Sequence, residues 1–246
     1  PNHAAGLRII LDALVSAPGG VIDSVDEIDG VGHRVVHGGT EATGSVRIDE
    51  SVMAILQRNV DLAPLHNPPN ISGIRAAGQA MDRTPQVGVF DTAFLATLPE
   101  KAYRYPVPEK WYSEHRVRRY GFHGTSHKYV TLCAAELLDK APEAVNLITV
   151  HLGNGASMTA VSGGVAVDHS MGMTPLEGLM MGTRCGDIDP AIVFYMISRG
   201  MTGDEVDEAL NKRSGLAGIS GGRSDMRDLL SALEGDDAPA ALAVDM

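Results

Sequence analysis

The sequence predicts an α/β protein built in two parts, and three observations carry that expectation. Short apolar runs of strand length alternate with stretches whose apolar residues recur every three to four positions, the helical spacing. An irregular segment from about 98 to 119, with Pro99, Pro106, Pro108 and Trp111, interrupts this rhythm. The junction is expected near its start, giving partial domains over 1–95 and 96–246, the second of them nucleotide-binding. The composition is 44% hydrophobic but only 4% aromatic, with 28 glycines, so the core must be aliphatic and the backbone free to turn tightly. A chain of 246 residues is long enough for one large core or two smaller ones.

Leu7, Ile10, Leu11 and Leu14 make residues 5–16 an amphipathic helix. Residues 31–37 read as a strand. Val52, Ile55, Leu56 and Val60 mark a second helix, followed by a proline-rich turn over 65–70 and another helix through Ile71 and Ile74. Residues 87–90 form a short apolar strand ending at Asp91. Beyond Gly121, a helix carrying Val130, Cys133, Ala134 and Leu137 leads to strands over 146–152, 156–161 and 165–168. Gly153-Asn154-Gly155 and Ser162-Gly163-Gly164 separate these strands, and Asn-Gly and Gly-Gly between apolar runs are hairpin signals. Asp189-Pro190, then Ile192, Val193, Met196 and Ile197, then Gly200, spell a helix with cap, first-turn proline and terminating glycine. Further helices are expected near 203–212 and 225–234.

A formal charge of −11 and the lack of a Lys/Arg stripe exclude a nucleic-acid surface. Cys133 and Cys185 lie far apart without a CxxC, which suits a reducing cytoplasm better than a disulfide framework. No apolar run approaches the length of a membrane span, and no signal peptide is present. The chain begins at Pro1, which leads to the expectation that residues are missing from both ends.

Several segments can carry chemistry. In residues 32–39, strand alternation points Arg34 away from His33 and His37, beside glycines that release the strand into a loop. Such an arginine can grip a carboxylate or phosphate with its planar fork, or sit in a surface ion pair. Asp91 stands at the carboxyl end of a strand, where open α/β sheets bind ligands; it could orient a nucleophile, hold Mg²⁺ waters or cap a helix. Residues 120–127 set His123 among small residues at a helix start, a place suited to anionic oxygen or to an ordinary cap. Residues 151–157 form a glycine-flanked tip whose amides could converge on phosphate, with Asn154 as a further donor, or a plain type I′ turn. Arg184 sits between Gly182 and Gly186 and could neutralise a transferring phosphoryl group. The i, i+4 pairs His33/His37 and His123/His127 lack the Glu in second position that a helical zinc motif needs, so they read as structural or substrate-facing.

Taken together, GHRVVHGG (32–39), LAPLHNPPN (62–70), VFDTAF (89–94), YGFHGTSH (120–127), HLGNGAS (151–157), SMGMTPLEGLMMGTR (170–184) and GDIDP (186–190) resemble the acetate kinase (acetokinase) family. Its superfamily also holds sugar kinases, Hsp70 ATPases and actin. The resemblance implies the actin-like ATPase (ribonuclease H-like) fold, with mixed sheets flanked by helices, and reversible phosphoryl transfer from ATP to acetate. It implies that Arg34 is catalytic and binds the carboxylate substrate or its phosphate, that Asp91 is the catalytic carboxylate, and that His123 and Arg184 stabilise the phosphoryl group. His151, Leu152, Gly153, Asn154 and Gly155 would form the ATP phosphate loop, and Asp225, Met226 and Arg227 would approach the adenosine. Val36, Leu65 and Phe122 would form the apolar acetate pocket. ATP/ADP and Mg²⁺, with Mn²⁺ as an alternative, are the implied cofactors; the usual metal ligands fall outside these residues, so none is assigned. A homodimer is implied as well. Leu95 departs from the family's usual His, and His169 from its frequent Thr. The alternatives are a propionate or butyrate kinase and a truncated, non-catalytic nucleotide-binding chain.

Overall fold

The computed structural model describes residues 3–16 and 18–246, and they form two compact units, up to Ala96 and from Thr97.

In the first unit, helix α1 (His3–Val15) lies along a later helix over Asn67–Ala80, and strand β1 (Val31–Val35) follows. Strand β2 (Val46–Arg47) leads into helix α2 (Glu50–Arg58), whose first turn is capped by Asp49 accepting from Val52 N at 2.9 Å. Helix α3 spans Asn67–Ala80 and strand β3 spans Gln86–Phe90. The proline-rich turn expected over 65–70 is therefore shorter than the sequence suggests. Pro68 and Pro69 lie inside the first turn of α3, where the missing N–H groups leave no bond unmade. Asn67 explains the early start: its buried amide donates to His37 O at 3.1 Å and to Asn59 O at 3.3 Å. The sheet order is β1-β3-β2, with β1 and β3 parallel and β2 antiparallel to β3. Val35, Val52, Leu56, Ile71, Ile74 and Phe90 close the core between this sheet and α2 and α3. Leu95 is fully buried, an environment that suits its aliphatic side chain.

The second unit begins with two short helices, α4 (Glu100–Tyr103) and α5 (Glu109–Ser113), inside the segment expected to be irregular. Helix α6 (Gly124–Leu137) packs on strand β4 (Asn146–Leu152), which continues through β5 (Ala156–Ser162) and β6 (Val165–His169) as an antiparallel sheet in the order β4-β5-β6. The β5–β6 turn has Gly163 at φ +59° and Gly164 at φ +75°, the two positive values a type I′ turn demands. Helix α7 covers Ala191–Ser198 with Pro190 as its N-cap residue, so the expected Asp189 cap and first-turn proline lie one position early, although Asp189 still accepts from Ala191 N at 2.9 Å. Helix α8 (Gly203–Lys212) carries a reciprocal Thr202/Glu205 capping box. Helices α9 (Gly215–Ser220), α10 (Met226–Leu233) and α11 (Ala238–Asp245) share a small core of Leu229, Ala240 and Ala243. Among the described residues, no helix is long and apolar enough to cross a membrane.

Candidate active site

The residues singled out above fall into two groups, one in each unit. In the first unit, the parallel register sets Val35 against Phe90, so Asp91 emerges beside the end of β1, its N–H donating to Val35 O at 2.9 Å. There Arg34 grips it with two bonds, Nε to Oδ1 at 2.9 Å and Nη2 to Oδ2 at 2.7 Å. The two ends of the pair differ sharply in environment: the Asp91 side chain is 3% exposed and that of Arg34 is 66%. This hydrogen bonding to Asp91 raises the guanidinium above its ordinary value. A guanidinium has five N–H groups, so an arginine spending one edge on a carboxylate has a second edge for another anion. Asn70 at the start of α3 steadies the strand end by accepting from Val36 N at 3.1 Å and donating to Arg34 O at 3.3 Å. Leu65, in the loop before α3, is 68% exposed.

The second unit gathers His123, Arg184 and the 153–155 loop around one glycine. A Cβ built on Gly155 would lie 3.2 Å from Arg184 Nη1 and 3.4 Å from His123 Nε2, so a guanidinium and an imidazole both press against a backbone without a side chain. Neither Gly153 nor Gly155 takes a left-handed φ, which rules out the type I′ alternative; Gly153 N instead donates to Gly155 O at 3.0 Å. Gly182 completes the fit. Its N–H donates to Asn154 O at 3.1 Å, and a Cβ there would meet Asn154 Oδ1 at 2.2 Å. Arg184 is mounted on a loop closed by Asp187 N to Gly178 O at 2.8 Å and tied to α9 by Leu216 N to Met181 O at 2.9 Å. Its own Nη1 donates to Pro175 O at 3.1 Å. Burial pulls this guanidinium down from its ordinary value, yet an arginine remains charged at neutral pH.

His123 itself sits at the mouth of α6 with φ +60°, a left-handed residue without Gly's freedom. The segment ahead of it is pinned by Tyr120 N and Gly121 N, both donating to Gly172 O at 3.1 Å. Arg119 reinforces this corner through Met171 O at 3.1 Å and Glu177 at 2.7 Å, while Tyr105 donates to the other oxygen of Glu177. Phe122 is 2% exposed. The imidazole of His123 stacks on His151, with centroids 4.1 Å apart, and its Nδ1 lies 2.8 Å from Ser157 Oγ.

A cavity of about 760 Å³ adjoins this corner and is lined by Leu152, Gly153, Asn154, Met181, Gly182, Asp225 and Met226, among others. That size is within the range of small-molecule sites. It brings together two segments singled out separately in the sequence, the 152–154 tip and the start of α10. Arg227 is turned into a pair with Asp225, with Nη2 to Oδ2 at 2.6 Å, and this bond holds the Asp225 carboxyl down to about 2. His151, Gly155 and Arg227 are not among the lining residues. Sequence reasoning missed the buried hydroxyls Thr149 and Thr159 and the partnership of Ser157 and His169 with them beneath α6, whose only signal is a hydroxyl or imidazole at every second position of the strands.

The family model of the acetokinases matches residues 1–246. The chain belongs to the acetokinase family. It is 51% identical over 246 residues to the acetate kinase of Clostridium botulinum (strain Alaska E43 / Type E3), covering 100% of this chain and 62% of that protein. A crystal structure of Porphyromonas gingivalis acetate kinase matches with a TM-score of 0.96 at 46% identity, over 100% of this chain and 62% of the other. A propionate kinase from Francisella tularensis subsp. tularensis SCHU S4 matches with a TM-score of 0.92 at 43% identity, over 98% and 61%. The chain thus spans about 62% of the length of the curated relative. With these neighbours, the acetokinase chain has the mixed α/β fold of the actin-like ATPases.

Proposed function

We propose that the protein containing this chain transfers a phosphoryl group reversibly between ATP and acetate. The observation that carries the reading is the meeting of Arg184 and His123 at Gly155, next to a cavity lined by the 152–154 tip and by Asp225 and Met226. In the forward direction a carboxylate oxygen attacks the γ-phosphorus, a new P–O bond forms, and the bond to the β-phosphate oxygen breaks with its electron pair leaving on ADP. Two anions must approach each other, so positioning and charge neutralisation make up most of the catalysis. Arg184 and His123 would neutralise the phosphoryl oxygens. Residues 151–155 would cradle the nucleotide phosphates and 225–227 would border the adenosine. Arg34 would take the carboxylate on the edge that Asp91 does not use, with Val36, Leu65 and Phe122 forming the apolar pocket for its methyl group. Asp91 would be the catalytic carboxylate. Mg²⁺ ordinarily binds through one or two carboxylates plus substrate phosphates; with both Asp91 oxygens held by Arg34, none of the described residues is assigned to the ion. When bound, the ion would neutralise β- and γ-phosphate charge. A homodimer is part of the same proposal.

The solved propionate kinase favours a second reading, in which a longer acid is the preferred substrate. One methylene in an apolar pocket changes discrimination by only about 10–200-fold, so the two readings share the same chemistry. Assaying the full-length protein with acetate, propionate and butyrate, and trapping the acyl phosphate as its hydroxamate, separates them. Acetate is expected to give the highest kcat/KM; no acyl phosphate from any acid would end both readings.

A further inference from the structure

Beneath α6, histidines and hydroxyls form a buried chain of hydrogen bonds whose direction can be worked out from its ends. Thr149 Oγ1 makes a long 3.5 Å contact with Thr159 O, and because a carbonyl only accepts, a proton on that contact belongs to Thr149. Thr149 Oγ1 then accepts from His127 Nδ1 at 2.7 Å. His127 Nε2 is left as a lone pair that accepts from Ser157 Oγ at 2.8 Å. Ser157 in turn accepts from His123 Nδ1, also at 2.8 Å. A second chain runs alongside with the same sense. Phe122 N, which only donates, meets His169 Nε2 at 3.2 Å, so His169 carries its proton on Nδ1 and gives it to Thr159 Oγ1 at 2.8 Å. Burial keeps both interior rings neutral, His127 held down to about 4 and His169 to about 3.

We infer that Ser157, His127 and Thr149 are positioning residues that lock a proton on His123 Nδ1, so that Nε2, the nitrogen facing Gly155 and Arg184, bears a proton only when the ring is a cation. Three of the groups near that ring are cationic or titratable: His151 stacked on it from β4, the Arg184 guanidinium from its loop, and His127 reached through Ser157 from α6. A phosphoryl anion seated against Nε2 therefore draws a second proton onto His123 as it binds. A neutral ring with the opposite tautomer would donate to the anion at any pH; the locked ring does not. The bearing of this lock on phosphoryl transfer rests on the proposed kinase reading, whereas the tautomer itself does not.

Long-range ¹H–¹⁵N spectra of the full-length protein with labelled histidine, recorded where the rings are neutral, test it directly. His123, His127 and His169 are expected as Nδ1–H tautomers. Thr149→Val keeps the shape of the side chain but removes the acceptor for His127 Nδ1. The chain should then reverse, with His127 donating to Ser157, Ser157 donating to His123 Nδ1, and His123 appearing as the Nε2–H form. A neutral His123 already in that form in the unsubstituted protein would overturn the inference, as would an unchanged tautomer in folded Thr149→Val. If Thr149→Val does not fold, the unsubstituted spectrum decides alone. In turnover, the unsubstituted enzyme should lose activity about tenfold per pH unit on its alkaline limb, and Thr149→Val should flatten that limb. An alkaline limb with the same slope in both counts against the lock. A protein without any turnover removes the kinase reading and leaves the spectra to decide the tautomer.

Discussion

Replacing Arg184 with alanine is expected to lower kcat/KM for acyl phosphate formation by about 10³-fold, roughly 4 kcal/mol of transition-state stabilisation. The guanidinium is half-buried against Gly155, where charge on a phosphoryl group is screened less than in water. Stability should change far less. The side chain donates to Pro175 O, and one such bond contributes about 1 kcal/mol net. Arg184→Lys should rescue little, because an ammonium is a point charge without the flat fork. Steady-state kinetics and urea unfolding of the same samples check both halves; more than a tenth of the activity surviving in Arg184→Ala would remove Arg184 from the transition state. The other arginine is a poorer probe. Arg34→Ala would strand the buried Asp91 carboxylate, and stranding a wholly buried partner is destabilising by about 3–5 kcal/mol. With 66% of the Arg34 side chain exposed to solvent the penalty is smaller, but it still mixes folding with chemistry.

The second large effect is on stability in mild acid. His127 is held down to about 4 by burial and by His123 and His151, and His169 to about 3 by burial and by His127, His123 and Arg119. In the unfolded chain both titrate near 6.5. Above pH 6.5 neither state is protonated, and the two rings contribute no pH dependence. Between 6.5 and about 4 the unfolded chain binds two protons that the folded chain refuses, so stability falls with falling pH by about 1.4 kcal/mol per unit for each ring. Below about 4 only His169 continues, down to about 3. Urea midpoints from pH 7.5 to 4.5 should therefore slide downward at an unchanged m-value. His169→Gln should make the slope shallower, even if its midpoint at pH 7.5 is lower from the lost Phe122 N to His169 Nε2 bond. A midpoint that stays flat from pH 6.5 to 5 would contradict the buried neutral rings.

The sequence revealed elements wherever the signal was local. The Gly163-Gly164 turn, the Gly200 stop and the 3.6-residue spacing of Val52, Ile55 and Leu56 each act within a few residues of themselves, and the structure has a turn, a helix end and a helix there. Helix α9 was invisible because its first amides are satisfied from elsewhere, Leu216 N by Met181 O and Ala217 N by Gly182 O. Strand β4 was legible as a strand but not in its facing. Its apolar content marked a strand and nothing more: Ile148, Val150 and Leu152 are exposed while Thr149 is buried toward α6. A period of two locates a strand without saying which face is covered. The same limit applies to the site. Strand parity separated Arg34 from His33, but the pairing with Asp91 depends on the β1–β3 register, which no short window contains. The buried hydroxyls under α6 were passed over because Ser and Thr in strands ordinarily need no explanation.

The left-handed backbone at position 123 sets activity against durability. An L-residue there is held in a conformation that a glycine would adopt freely, at about 1 kcal/mol of strain. The imidazole is thus kept where the polypeptide would be more comfortable without it. On the proposed kinase reading, the strain at this one dihedral angle is what it costs to hold an imidazole against the 153–155 loop, a trade-off of stability for chemistry.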